Sequence, residues 1–180
     1  MDSNSGNPSF PALPAPRRFV TQHNEDGVAT IAAHPDPEAR TFGDGSYAFP
    51  LWSASEAPAD VSNSGLGQAA DIHTASMGSF FTAYDIPPNY DGPFHRSITL
   101  DYVLVFKGTI VLTTEDGTRT TLGEGDTIVQ RGTMHKWSNE GTDWARMVTV
   151  MVPALPVITG GQELSAHWPY EDGPGKQVRG

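Results

Sequence analysis

Two histidines and one aspartate have the types and spacing to do chemistry. His95 follows the stretch Pro87-Pro88-Asn89-Tyr90-Asp91-Gly92-Pro93 and opens a β-type run; His135 opens another, soon after Gly132. Side chains on one face of a strand recur every second residue. His95, Ser97, Thr99, Asp101, Val103 and Val105 therefore share a face, with Arg96, Ile98, Leu100, Tyr102, Leu104 and Phe106 on the other. His135, Trp137 and Asn139 share a face of the second run. A wall of two imidazoles, a carboxylate, hydroxyls and an indole suits proton transfer, with His95, Asp101 and His135 as the catalytic groups. The same three side chains are the ligand set of an open site for one divalent metal: Fe, Zn or Mn. Substrate contacts fall to their neighbours: Ser97 and Thr99 as hydrogen-bonding groups, Trp137 as a ring wall, and Arg96 and Arg131 as forks for a carboxylate. Structural roles compete for each: a buried acceptor for Asp101, surface ion pairing for the arginines and for Arg146, core packing for Trp137 and Phe81.

The remaining histidines, His23, His34, His73 and His167, fall in loop-like or arm contexts and are expected to be exposed, with His73 on a loop that reaches over the pocket mouth. No serine sits in a Gly-x-Ser-x-Gly elbow, which argues against acyl-enzyme chemistry. Gly123-Glu124-Gly125 is a strand connection, since no helix follows to hold a phosphate.

The elements that must position this cluster are strands. The chain has 180 residues, enough for one core, and its 19 Gly and 15 Pro weigh against helical architecture. Strand-like runs at Ser79–Ile86, Ser97–Phe106, Thr109–Thr114, Arg119–Leu122, Thr127–Gln130, His135–Ser138 and Ala145–Val152 alternate with turn residues, the pattern of an all-β sandwich or barrel. Upstream, Arg18–Thr21 and Val28–Ile31 flank the hairpin signal Asn24-Glu25-Asp26-Gly27, and Tyr47–Trp52 is a further strand. Residues 53–79 form a long Ala-, Ser-, Asp- and Gly-rich loop with a short helix over Ala57–Val61. The expected division is a flexible arm at 1–16, a hairpin and loop packing on the barrel at 17–78, the barrel core at 79–153 and a loop-like C-terminal extension at 154–180.

Composition excludes other classes. The absence of Cys removes disulfides, thiolate metal sites and a cysteine nucleophile. A net charge of −10 disfavours nucleic acid and anionic membranes as partners. No apolar run reaches the ~18 residues of a membrane span, and no basic start leads into an apolar stretch, so the expected location is cytoplasmic.

Two segments carry a family resemblance. Gly92-Pro93-Phe94-His95…Asp101…Gly108 and Gly125-Asp126…Gly132-Thr133-Met134-His135-Lys136-Trp137-Ser138-Asn139 resemble the two motifs of the cupin superfamily. Asp101 is followed by six residues and Gly108, and His135 with Asn139 fits His-x-x-x-Asn. The match covers roughly residues 79–152 and looks most like small single-domain cupins of polyketide and other secondary-metabolite pathways. It implies a jelly-roll barrel, a homodimer and a small-molecule substrate. Three departures bear on the metal: Ser97 stands where the family has a second histidine, Asp101 where it has glutamate, and the Gly125–Gly132 interval is one residue short. The expected function is acid/base or metal-assisted chemistry of the lyase or isomerase type (dehydration, decarboxylation or ring closure) on a polyketide-like or aromatic intermediate. An Fe(II)-dependent oxidoreductase and a non-catalytic ligand-binding barrel are the alternatives.

Overall fold

A computed structural model describes residues 13–32, 35–62 and 78–169. His34, His73 with the rest of residues 63–77 in the 53–79 loop, and the two chain ends that include most of the expected arm lie outside these residues. Among the described residues fourteen strands run in order: β1 Val20–His23, β2 Ala29–Ala32, β3 Arg40–Thr41, β4 Tyr47–Ala54, β5 Ser79–Ile86, β6 Tyr90–Asp91, β7 Thr99–Lys107, β8 Ile110–Thr114, β9 Arg119–Leu122, β10 Thr127–Arg131, β11 His135–Asn139, β12 Ala145–Pro153, β13 Ile158–Thr159 and β14 Gln162–Glu163. The described residues contain no helix, and none could cross a membrane as one.

Two antiparallel sheets build the body. One has the order β10-β7-β12-β5-β4-β3, the other β6-β11-β8-β9. Non-sequential neighbours such as β7-β12-β5 are what a jelly roll requires. Alternation decides which side chains face inward. On β7, Asp101, Val103 and Val105 are buried while Tyr102, Leu104 and Phe106 are exposed. Between the sheets, Ile86, Val103, Val105, Ile110, Leu112, Leu122, Trp137 and Met147 form the main core. Full burial stabilises each large apolar side chain by roughly 1.5–3 kcal/mol.

The opposite face of the six-stranded sheet holds a second cluster of Tyr47, Phe49, Leu51 and Ala83, with Trp144 and Val148 packed on it. Here Arg146 and Asp85, register partners on β12 and β5, form a buried bidentate pair: Nε donates to Oδ1 at 2.5 Å and Nη2 to Oδ2 at 2.6 Å. Arg146 Nη1 also donates to Pro14 O at 2.9 Å, and Arg18 Nη1 to Leu51 O at 3.2 Å, which ties the N-terminal segment to this face.

The short helix expected over Ala57–Val61 does not form; residues 55–62 are bends and coil. Pro58 disfavours α backbone at Ala57, and Asp60 Oδ1 accepts from Ser62 N at 2.8 Å, a turn that competes with a helix start. The C-terminal extension is more ordered than a loop. β13 and β14 pair as a hairpin, and His167 then pairs with Arg96, each backbone N–H donating to the other's carbonyl at 2.8 and 2.9 Å.

Candidate active site

The site grows from a backbone contact. His95 and His135 form an isolated antiparallel bridge, with N–O distances of 2.9 and 3.0 Å. This makes the two strand starts direct neighbours and brings the imidazole centroids to 4.4 Å at a tilt of 52°. Glycine permits the approach: Gly92 N donates to Trp137 O at 3.0 Å, and a Cβ at residue 92 would lie 2.6 Å from that oxygen. On the other side, Gly132 adopts φ +59°, a left-handed backbone that turns the chain into His135.

Both rings are held by one nitrogen. His95 Nδ1 lies 3.1 Å from Pro93 O, and His135 Nδ1 2.9 Å from Thr133 O. A carbonyl only accepts, so each Nδ1 carries its proton and each neutral ring keeps Nε2 as the open acceptor. The Gln130 amide also meets His135 Nδ1, at 2.9 Å. Since that nitrogen donates, the amide must present its oxygen there, where it accepts from the Thr133 hydroxyl as well. Trp168 stacks on His95 (centroids 5.1 Å, 15°), and Trp137 meets His135 edge-on (5.5 Å, 83°).

Burial sets the proton affinities. Desolvation is the largest influence on His95 and lowers it below the ordinary imidazole value, against the Pro93 hydrogen bond. Desolvation, joined by the neighbouring His95, takes His135 down to about 4. Asp101 moves the other way. Its burial raises it to about 6, against a hydrogen bond from Thr99. Burial also raises Tyr84, with the Asp101 charge adding to it.

These groups line a cavity of about 520 Å³ between the two sheets. That volume is of the size that encloses a small organic ligand. His95, His135 and Trp137 occupy one side. Asp101, Thr99, Thr82, Tyr84 and Thr149 face inward from the six-stranded sheet, and Trp168 with Pro169 closes in from the C-terminal segment. The walls mix ring and thioether surfaces (Trp52, Phe80, Met151) with hydroxyls.

The structure brings together His95, His135, Ser97, Thr99, Asp101 and Trp137 as cavity-lining residues. Ser97 Oγ and Thr99 Oγ1 bond each other at 2.7 Å. Arg96 and Arg131 do not line it. The Arg96 guanidinium donates to Ser165 O at 3.3 Å and lies 3.8 Å from Glu115, while Arg131 is exposed at the end of β10. Arg146 is committed to Asp85 on the other face of the sheet.

The three-ligand metal set expected from His95, Asp101 and His135 is not assembled. Among the described residues, no three His, Asp, Glu or Cys side chains converge closely enough to hold an ion. Asp101 has a single methylene and is engaged by Thr99 on β7, and neither imidazole is among the groups acting on it.

Sequence reasoning missed Trp168, Gln130 and Thr149. Trp168 arrives through a strand pairing far along the chain, which no local pattern signals. Gln130 and Thr149 each lie on a strand recognised from alternation, and the inward parity of Thr149 was open to the same argument that found Asp101.

Residues 83–151 match the family model described as a cupin domain. Oryzines biosynthesis cluster protein J of Aspergillus oryzae is 34% identical, over 84% of this chain and 90% of that protein. The cupin-domain-containing oxidoreductase srdD of Neurospora crassa is 31% identical, over 83% and 82%. Among solved structures, the polyketide cyclase RemF from Streptomyces resistomycificus superposes with a TM-score of 0.49 at 15% identity, covering 75% of this chain and 81% of that one. With its inter-sheet cavity, its paired motif histidines and relatives that match along nearly their whole length, the chain belongs to the cupin superfamily.

Proposed function

We propose that the protein is an enzyme that moves protons on a small conjugated carbonyl compound, of polyketide-like or aromatic type, in a reaction of the lyase or isomerase class. The observation that carries this reading is the buried imidazole pair, with both Nδ1 protons facing backbone carbonyls and both Nε2 atoms left as acceptors. Lowered proton affinity keeps such rings neutral, and so able to act as bases, at physiological pH. Asp101, shifted upward by the same burial, is the complementary acid or hydrogen-bond partner for the carbonyl oxygen. Burial thus reverses the ordinary order of the two groups, so that the carboxyl holds its proton more firmly than the imidazole and one site can supply both acid and base. The naming of a relative for a biosynthesis cluster supports a small biosynthetic intermediate as substrate.

The test uses a probe with exchangeable protons next to a ketone. Hydrogen–deuterium exchange of 2-tetralone in D₂O, followed by proton NMR, should run above the buffer rate with the wild-type protein. It should fall by about 100-fold in His95→Ala/His135→Ala, within the range of a lost general base. Exchange at the buffer rate with wild-type protein, or unchanged exchange in the double variant, sinks the reading.

A second reading, oxidoreductase chemistry, is favoured by the naming of a relative as a cupin-domain-containing oxidoreductase. It requires turnover that depends on added Fe(II) and consumes O₂ in step with product.

A further inference from the structure

Two polar atoms in the cavity wall are buried without a partner. Asp101 Oδ1 and Thr149 Oγ1 have no hydrogen bond. Their residues are only 6% and 5% exposed, and both line the cavity. The other such atoms among the described residues, Arg18 Nε, Arg96 Nε and Thr113 Oγ1, belong to side chains outside that wall. A buried polar atom without a partner costs free energy, and a native fold keeps few of them. Two on one wall of one cavity point to a ligand that completes them.

Their arrangement narrows the ligand. Across β7 and β12, Asp101 opposes Met151 and Thr149 opposes Val103, so Asp101 and Thr149 are diagonal neighbours on the inward face. One bound group can meet both. The Asp101 carboxyl already has Thr99 as a partner, and Thr99 is bonded in turn to Ser97. What is left is a carboxyl oxygen that accepts and a hydroxyl that donates or accepts.

We propose that Asp101 Oδ1 and Thr149 Oγ1 form a subsite for a neutral hydroxyl or N–H group of the substrate, as in a phenol, an enol or an amide, and that this subsite rejects a carboxylate. The ligand O–H donates to Oδ1 while its oxygen accepts from the Thr149 hydroxyl. A carboxylate there would face Asp101 in a medium of low dielectric. With its value at about 6, Asp101 is mostly ionised at pH 7, so this repulsion operates under the conditions of the test. The inference rests on the reading of this cavity as a substrate site, but not on proton transfer within it.

The test is calorimetric titration at pH 7 with 2-naphthol, 2-methoxynaphthalene and 2-naphthoate. Wild-type protein should bind 2-naphthol at least ten times more tightly than its methyl ether, and 2-naphthoate about 100 times more weakly. Thr149→Val keeps the shape and removes the unpaired hydroxyl. It should melt no lower than wild type and bind 2-naphthol five- to tenfold more weakly, and it should weaken the methyl ether, which keeps only the acceptor oxygen, by no more than that. Asp101→Asn should weaken 2-naphthol about tenfold and admit 2-naphthoate. The proposal is overturned if wild type does not bind 2-naphthol, if it binds 2-naphthoate equally well, or if both variants bind 2-naphthol as wild type does. Failure of the proton-transfer reading shows separately, as normal 2-naphthol binding with no catalysed exchange of 2-tetralone.

Discussion

The two sides of the cavity satisfy their polar groups differently. On the histidine side, each Nδ1 has a backbone carbonyl, the rings are braced by Trp168 and Trp137, and Gln130 stands behind His135. On the six-stranded sheet, Asp101 and Thr149 each keep a buried oxygen unpaired. The outer face of that same sheet shows that this is not a general weakness of its packing, because Asp85 and Arg146 there are matched bidentately. The lesson is one of division of labour. One side is preorganised before any ligand arrives, and the other holds hydrogen-bonding capacity in reserve.

Breaking the satisfied outer pair should have the largest effect on stability. Arg146→Ala leaves the Asp85 carboxylate buried and alone, a loss of about 3–5 kcal/mol in urea unfolding. A loss under 1 kcal/mol would mean that the pair is not desolvated as the structure shows.

Asp101→Asn comes next and should stabilise at pH 7. In the folded state Asp101 binds its proton up to about pH 6, against 3.8 ordinarily, so its contribution is full at low pH and is lost as pH rises through 6. His135 has the opposite sign. Its folded value of about 4 lies below 6.5, so its contribution is present above 6.5 and lost as pH falls through 4. In wild type the two slopes oppose each other between pH 4 and 6. Asp101→Asn should remove the falling one, gaining roughly 2 kcal/mol at pH 7 and leaving a steeper rise with pH. Parallel stability–pH curves for variant and wild type would contradict this.

Thr149→Val tests the same reserve more gently. Removing an unsatisfied buried hydroxyl without changing shape should raise stability by up to about 1 kcal/mol in thermal unfolding. A loss of that size would show the hydroxyl to be bonded in the folded protein. Smallest of all, Gln130→Leu should lower the 2-tetralone exchange rate about threefold with little change in melting temperature, since it loosens a ring still anchored by Thr133. An unchanged rate would remove Gln130 from the positioning of His135.

The division between the walls was partly legible in the sequence. Alternation placed Ser79–Ile86 and Arg119–Leu122 to the residue and assigned the inward face of β7 correctly, because a half-buried strand must segregate its side chains. The two histidines stood out by turn context and motif. What stayed hidden depends on pairing between distant segments. The His95–His135 bridge makes the rings neighbours and not opposing rim groups, and the Arg96–His167 bridge delivers Trp168. The Arg96 side chain turned outward because parity puts it on the other face from His95, a rule the sequence already held. The Asp101 carboxyl shares the inward face with the histidines, but facing the same way did not bring it into a cluster with them.

The central claim is that His95 and His135 are neutral bases with Nε2 unprotonated. Nitrogen-15 NMR of ring-labelled histidine over pH 3.5 to 8, assigned with His95→Ala and His135→Ala, reads this directly. The account predicts the Nδ1–H tautomer for both rings at pH 7, with His135 gaining its second proton only near pH 4 and His95 below the ordinary imidazole value. Titration of both rings at 6.5 or above, or an Nε2–H tautomer at neutral pH, would contradict it.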